Sequence, residues 1–326
     1  MSYKTTDGLM RHLRESGIDI SGSLQKRQLI NTGYFHGYKG YRFFKNTQKK
    51  LPVVSYKEIY ATIQYDSALK ALFYSKVMYI ETAIKNIALE SIIVNTGSEN
   101  VQDIIEKVVS GYNNAPVGYT NEQKRKLQER KLNLKKMVQS SIFDAYKKQN
   151  PKISHFYDNK GYSDVPIWAL FEIISMGDFG YLLSCLTKDV RDDISKRIGI
   201  NTSCDTNREL IYKYIYTLKD LRNAIAHNGV IFDTRFGNIE PTKAMKRCLE
   251  IEIGLPYINF KTIGDYLILI CYYLKLLHIS KTEIKSFIKE FEKITDEYKK
   301  SVNQNVASIV IHPDLSSRIG ILKNFL

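Results

Sequence analysis

Arg222, Asn223 and His227 are the residues of this chain whose types and spacing fit a recognisable chemistry, the cutting of RNA without a metal. RNA carries its own nucleophile, the ribose 2′-hydroxyl. Cutting it takes a group that moves a proton near neutral pH, and a fixed cation on the phosphate as charge builds there. Histidine is the usual proton-transfer group. Arginine stays charged and grips phosphate through two parallel hydrogen bonds. Asn223 would orient either partner. The spacing alone also arises by chance, so its surroundings matter. The plain alternative is that Arg222 pairs with Asp220 or Glu209 and His227 bonds a backbone carbonyl at a helix end.

The element that must position these residues is a helix. Thr206 and Glu209 have the spacing of a capping box. Leu210 or Ile211, Tyr214, Leu218, Leu221 and Ile225 then recur at the three-to-four interval of one buried stripe. Asn228-Gly229 reads as the stop, because glycine tolerates left-handed backbone. Arg222 and His227 therefore fall in the last turns. Five residues subtend about 140° on such a helix, so a long arginine must reach round to meet the imidazole. Asn223 and His227, four apart, share a face.

Read as L-R-N-x-x-A-H, Leu221–His227 resembles the signature of the HEPN superfamily, whose nuclease members carry R-x(4–6)-H with a polar residue after the arginine. Three further blocks resemble one branch, the Abi-like (AbiF/AbiD type) abortive infection proteins. They are Leu29-Ile30-Asn31-Thr32-Gly33-Tyr34-Phe35-His36-Gly37-Tyr38, then Tyr65-Asp66-x-x-Leu69-Lys70-x-Leu72 with Ile80-Glu81-x-Ala83-Ile84-Lys85, then Val165-Pro166-Ile167-Trp168-x-x-x-Glu172-x-x-Ser175-Met176-Gly177. All four blocks stand in the family order. The text after the motif departs from the family's A-H-H-x-R-x-W-N-R. Asn228 stands where a second histidine is usual, the tryptophan is missing, and Arg235 is the nearest trailing arginine.

The resemblance implies an all-α HEPN-type helical bundle with N-terminal and middle helical insertions. It implies a metal-independent endoribonuclease, a toxin in antiviral defence, with Arg222, Asn223 and His227 as its catalytic set. Glu81, on the resembling first helix, is an auxiliary candidate; its plain alternative is an i,i+4 pair with Lys85. One motif per chain implies a homodimer, and toxin logic implies a silencing partner such as a small RNA. No cofactor is implied. Two other classes compete: a non-catalytic RNA-binding protein using the same surface, and a protein-binding regulator.

Composition agrees with an RNA partner. Lys plus Arg number 48 against 34 for Asp plus Glu, a net charge of +14, and such an excess favours a polyanion by counterion release. Lys124, Arg125, Lys126, Arg130, Lys131, Lys135 and Lys136 cluster on one expected helix with a narrow apolar seam of Leu127, Leu134 and Val138. This is a phosphate-tracking ridge or an ordinary exposed face. A second candidate surface holds Tyr38, Lys39, Tyr41 and Arg42, where aromatics interleaved with cations suit stacking on unpaired bases. The alternative is that these rings pack the segment onto the body, and His36 reads as a packing or hydrogen-bonding residue.

Other chemistries find little support. Cys185, Cys204, Cys248 and Cys271 lack C-x-x-C spacing, which argues against zinc; so few and so scattered, they suit a reducing cytosol. No phosphate-loop or dinucleotide glycine pattern occurs. Asp192-Asp193 is flanked by Arg191 and Lys196 and reads as a surface pair. Asp7, Arg11, Arg14 and Glu15 interrupt any leader, and Tyr266–Leu277 is too short to span a bilayer and reads as a buried core helix. The expectation is a cytoplasmic protein without membrane or metal.

Periodicity places helices at Lys4–Glu15, Ser23–Thr32, Ser55 to about Asn95, Val101–Ser110, Asn121 to about Lys148, Ile167–Met176, Asp178–Leu186, Val190–Ile198, Thr206–His227, Phe260–Leu277 and Lys281–Lys299. Val306–Ile311 reads as one short strand. The expected organisation is accessory helices over 1–54, a core over 55–300 carrying the basic insertion at about 100–150, and a tail over 301–326.

Overall fold

A computed structural model describes residues 5–158, 165–237 and 240–326, and the chain is all-α. Lys4, where the first helix is expected to begin, lies outside the described residues. Among those described, fifteen α-helices and no strand occur. In chain order they are α1 (Thr6–Glu15), α2 (Gly22–Thr32), α3 (Tyr56–Thr96), α4 (Val101–Val108), α5 (Asn121–Lys147), α6 (Pro151–Asp158), α7 (Ile167–Ile173), α8 (Met176–Cys185), α9 (Lys188–Ile198), α10 (Leu210–Ala226), α11 (Lys243–Ile253), α12 (Ile263–Leu276), α13 (Lys281–Ser301), α14 (Gln304–Val310) and α15 (Leu315–Phe325). A wider, π-type helical stretch, Gly33–Lys39, continues from α2. Val306–Ile311, expected as a strand, is mostly helix α14. Its start is capped by Asn303, whose side chain accepts from Val306 N at 3.0 Å, and this outweighs the β-branched run.

Two compact units divide the chain. The first comprises Met1–Met78, Asp220–Pro241 and Leu249–Leu326; the second comprises Tyr79–Lys219 and Thr242–Cys248. The division runs through α3, α10 and α11, not near residues 54 or 300. Residues 301–326, expected as a tail, form α14 and α15, with Val306, Ile319 and Leu322 buried in the first unit.

The first unit is built on α12, in which Ile263–Leu274 are all buried. Among the described residues no helix is long and apolar enough to cross a membrane. From α3 come Tyr56, Tyr65, Leu69 and Phe73; from α13 come Phe287, Phe291 and Tyr298. Tyr65 stacks on Tyr298 at 4.4 Å between ring centres, and Phe73 stacks on Phe291 at 6.0 Å. At the start of α3, Glu58 Oε2 accepts from Val54 N and Ser55 N.

The second unit has α5, α6, α7 and α8 packed together. Its part of α3 presents Ile80, Ile84, Ala88 and Ile92 inward, one per turn. Ser175 caps α8 by accepting from Asp178 N at 3.1 Å. Gly180 lies so close to α10 that a Cβ there would meet Tyr216 at 3.0 Å and Ile215 at 3.3 Å. Cys204 and Cys248 form a disulfide across a separation of 44 residues. Their sequence spacing carried no sign of this, and it corrects the reading of four scattered thiols; Cys185 and Cys271 remain free and buried.

The candidate RNA-cleaving site at the end of helix α10

Helix α10 starts later than the expected box at Thr206. Asp205 supplies the cap, its carboxylate accepting from Glu209 N at 2.9 Å and Leu210 N at 2.8 Å. Leu210, Ile211, Tyr214, Ile215, Leu218 and Leu221 are fully buried, and Ile225 is half-buried. The stripe holds the helix, so its last turn carries the polar residues on the outer side.

The helix ends in a Schellman turn. Gly229 N donates to Ala224 O at 2.6 Å, and Asn228 N donates to Ile225 O at 3.1 Å. The stop is where the sequence puts it, but the left-handed residue is Asn228, at φ +53°, rather than Gly229. Asparagine accepts that conformation better than most side chains. His227 is thereby left as the exposed cap residue, its N–H donating to Asn223 O at 3.0 Å. Arg222 and Asn223 are half-buried, and Arg222 Nη1 donates to Asn223 Oδ1 at 3.2 Å. Arginine, amide and histidine thus follow one another along a single helix end.

What holds that end is a carboxylate of the second resembling block. Asp66, fully buried on α3, accepts from Ile231 N and Phe232 N at 2.7 Å each and from the Tyr41 hydroxyl at 2.7 Å. It also pairs with Lys70 at 2.8 Å, and Lys70 Nζ donates to Asn228 Oδ1 at 2.9 Å. Asn228 Nδ2 lies 3.1 Å from His36 Nε2. One buried carboxylate therefore fixes the backbone just after the motif and, through Lys70, the residue next to His227. Burial and the Asp66 carboxylate push the Tyr41 phenol above its usual pKa, so it stays a donor. The sequence signal was present in the block Tyr65-Asp66-x-x-Leu69-Lys70, an acid and a base four apart.

Arg235, the nearest trailing arginine, serves structure. It pairs with Asp233 at 2.6 Å and donates to Gly40 O and Phe43 O at 2.9 and 2.8 Å. Asp233, itself buried, also accepts from Lys45 N.

The two candidate binding surfaces are divided by the structure. Tyr38 and Tyr41 are buried, and Arg42 donates to Leu51 O and Val53 O. These three are packing residues, because their faces and donors are already occupied. Lys39 and His36 are exposed, and the ring open to solvent is Phe35, 81% exposed. On α5 the seam holds: Leu134 and Val138 are buried and Leu127 half-buried. The ridge does not run the whole helix. Lys131 is buried against Glu106 at 2.8 Å, Lys135 pairs with the same carboxylate, and Arg130 Nη2 donates to Ser184 O at 2.7 Å. Hydrogen bonds from Lys131 and Lys135 hold Glu106 below the usual carboxylate range. Arg125, Lys126 and Lys136 are exposed, Lys126 pairing with Glu122, and Lys124 sits over the Tyr112 ring.

Glu81 belongs to the second unit and is buried there, 3.0 Å from Lys85; Lys85 also donates to Ile174 O. The i,i+4 pair expected as the plain alternative is present. Asp192 is a surface acid pulled below its usual pKa by hydrogen bonds from Lys196 and Arg208. Asp193 pairs with Arg197 at 2.8 Å.

In this all-α chain, arginine, amide and histidine stand at the end of α10, and α3 holds the segment that follows. The chain belongs to the Abi-like protein family, whose model matches residues 27–233. That span takes in Asp66, Lys70 and the whole of α10. Membership points to a role in abortive infection defence. No curated protein and no solved structure matches the chain.

Proposed function

We propose that this protein is an RNA-cutting effector of abortive infection, a HEPN-type ribonuclease that acts without metal. The observation that carries the reading is the end of α10, with His227 exposed at the cap, Asn223 bonded to it through the backbone, and Arg222 bonded to Asn223. In the proposed step His227 takes the proton of a ribose 2′-hydroxyl, and the 2′-oxygen attacks the adjacent phosphorus. The bond from phosphorus to the 5′-oxygen breaks, and the leaving oxygen takes a proton from an imidazolium. The products are a 2′,3′-cyclic phosphate and a 5′-hydroxyl. Arg222 offsets the charge that builds on the phosphate, and Asn223 aligns the two. One motif per chain is the reason to propose a homodimer, in which the second copy supplies the proton donor. A partner such as a small RNA holds the enzyme silent in the cytoplasm, where the Cys204–Cys248 bond answers to the local thiol balance.

RNA incubated with the purified protein in excess chelator is expected to be cut, with cyclic phosphate ends seen by mass spectrometry. Strict dependence on added divalent ions would sink the metal-free step. Tight binding without any cut would favour the non-catalytic RNA-binding reading.

The exposed part of α5 gives a second expectation. Arg125→Gln with Lys136→Gln should weaken RNA binding across all sequences. The salt dependence should flatten by a slope of about 0.7 per lost contact on single strands, with sequence preference unchanged. Lys131→Gln should instead lower the thermal midpoint, because that cation is buried against Glu106. Titrations at several salt concentrations, beside melting curves, separate the two outcomes.

A further inference from the structure

The second unit contains a cavity of ≈330 Å³, bordered by α5, α9 and the start of α10. Its volume is at the small end of the range for ligand pockets. Three cations line it, Arg130, Lys188 and Arg191, against one carboxylate, Glu209. Glu209 is already engaged by Lys213, so the wall keeps an excess of positive charge.

Arg191 is the informative residue. Its Nε is buried with no hydrogen-bond partner, while Glu209 and Asp205 act on it only through their charge. The other cavity arginine, Arg130, is satisfied by the Ser184 carbonyl and hydroxyl at 2.7 and 3.0 Å. Arg197 and Arg208, on the same unit, pair with Asp193 and Asp192. An N–H that loses water without gaining an acceptor is costly. Burial pulls the Arg191 pKa down from its usual value, and the like charge of Arg130 adds to the effect. A bound anion relieves both. Beside the cations stand flat and apolar groups: the Tyr212 ring, 5.7 Å from the Arg191 guanidinium, with Tyr119 and Leu127 on the same lining.

We propose that this cavity binds a phosphomonoester of mononucleotide size, its phosphate on Arg130, Arg191 and Lys188 and its base against Tyr119 and Tyr212. Bidentate arginine contacts suit the doubly charged phosphate, and sequence-tolerant stacking suits a single base. The phosphate belongs either to a free nucleotide or to the first nucleotide of a 5′-phosphorylated RNA. The lining does not include His227, and the proposal does not rest on RNA cleavage.

The test is calorimetric titration of the full chain with AMP, GMP, CMP, UMP, inorganic phosphate and a 5′-phosphorylated trinucleotide. At least one mononucleotide should bind one per chain, and inorganic phosphate about tenfold more weakly, because it lacks the base. Arg191→Gln should weaken mononucleotide binding about ten- to a hundredfold. Lys188→Glu, at an exposed position on the rim where folding is not at stake, should weaken it about tenfold. Trinucleotide binding equal to the mononucleotide assigns the ligand to an RNA end; weaker binding assigns it to a free nucleotide. Absence of binding by all four nucleotides at about 1 mM, or binding unchanged in Lys188→Glu, would overturn the proposal.

Discussion

His227→Ala is expected to slow RNA cleavage by about a hundredfold to ten-thousandfold, the range spanned by loss of a positioned acid–base group. The fold should survive. His227 is exposed, it contributes no core packing, and its structural bond to Asn223 O comes from the backbone N–H, which alanine keeps. Arg222→Lys should fall between the parent and His227→Ala, since lysine keeps the charge and loses the paired geometry on phosphate. Initial rates on a labelled RNA, beside melting curves of each variant, provide the comparison. Equal rates for parent and His227→Ala would remove the histidine from the chemistry.

Asp66→Ala is expected to produce the largest loss of stability, about 3–5 kcal/mol, the usual cost of removing one partner from a buried charged pair. The carboxylate is fully buried and engages Lys70, Tyr41 and two backbone N–H groups. Alanine leaves the Tyr41 hydroxyl and both backbone N–H groups without that acceptor, and Lys70 without its carboxylate, in a place water does not reach. Asp66→Asn, which keeps an acceptor oxygen, should lose less. Urea unfolding curves measure both. A change below about 1 kcal/mol for Asp66→Ala would mean that the segment after the motif is held by other contacts.

The helices that organise the chain were legible because their signal is local. In α3, α10 and α13 the buried residues recur every three or four positions, α12 is apolar and buried over Ile263–Leu274, and the chain folds as these patterns dictate. The motif's helix end was legible for the same reason. The strand expected at Val306–Ile311 failed because β-branched residues report only a preference, which a capped turn overrides. The basic helix was misread more instructively. Lys131 lies four residues after Leu127 and three before Leu134, so the seam itself placed it on the inner face. Charge alone suggested solvent, whereas position predicted burial. Asp66 was legible only as the i,i+4 partner of Lys70, and its grip on the segment after the motif was not. Its backbone partners lie 165 and 166 residues away, and no one-dimensional pattern records such a meeting. The same holds for Cys204 and Cys248.

That disulfide has a consequence for how the chain can be taken apart. The covalent loop from Cys204 to Cys248 encloses the whole of α10 and the motif at its end. A protease that cuts once anywhere inside this loop leaves both pieces on one covalent frame. They should migrate as a single full-mass band on a denaturing gel and separate only when reductant is added. A single nick inside the loop therefore separates nothing from the oxidised chain, and the two pieces part only once the bond is also reduced.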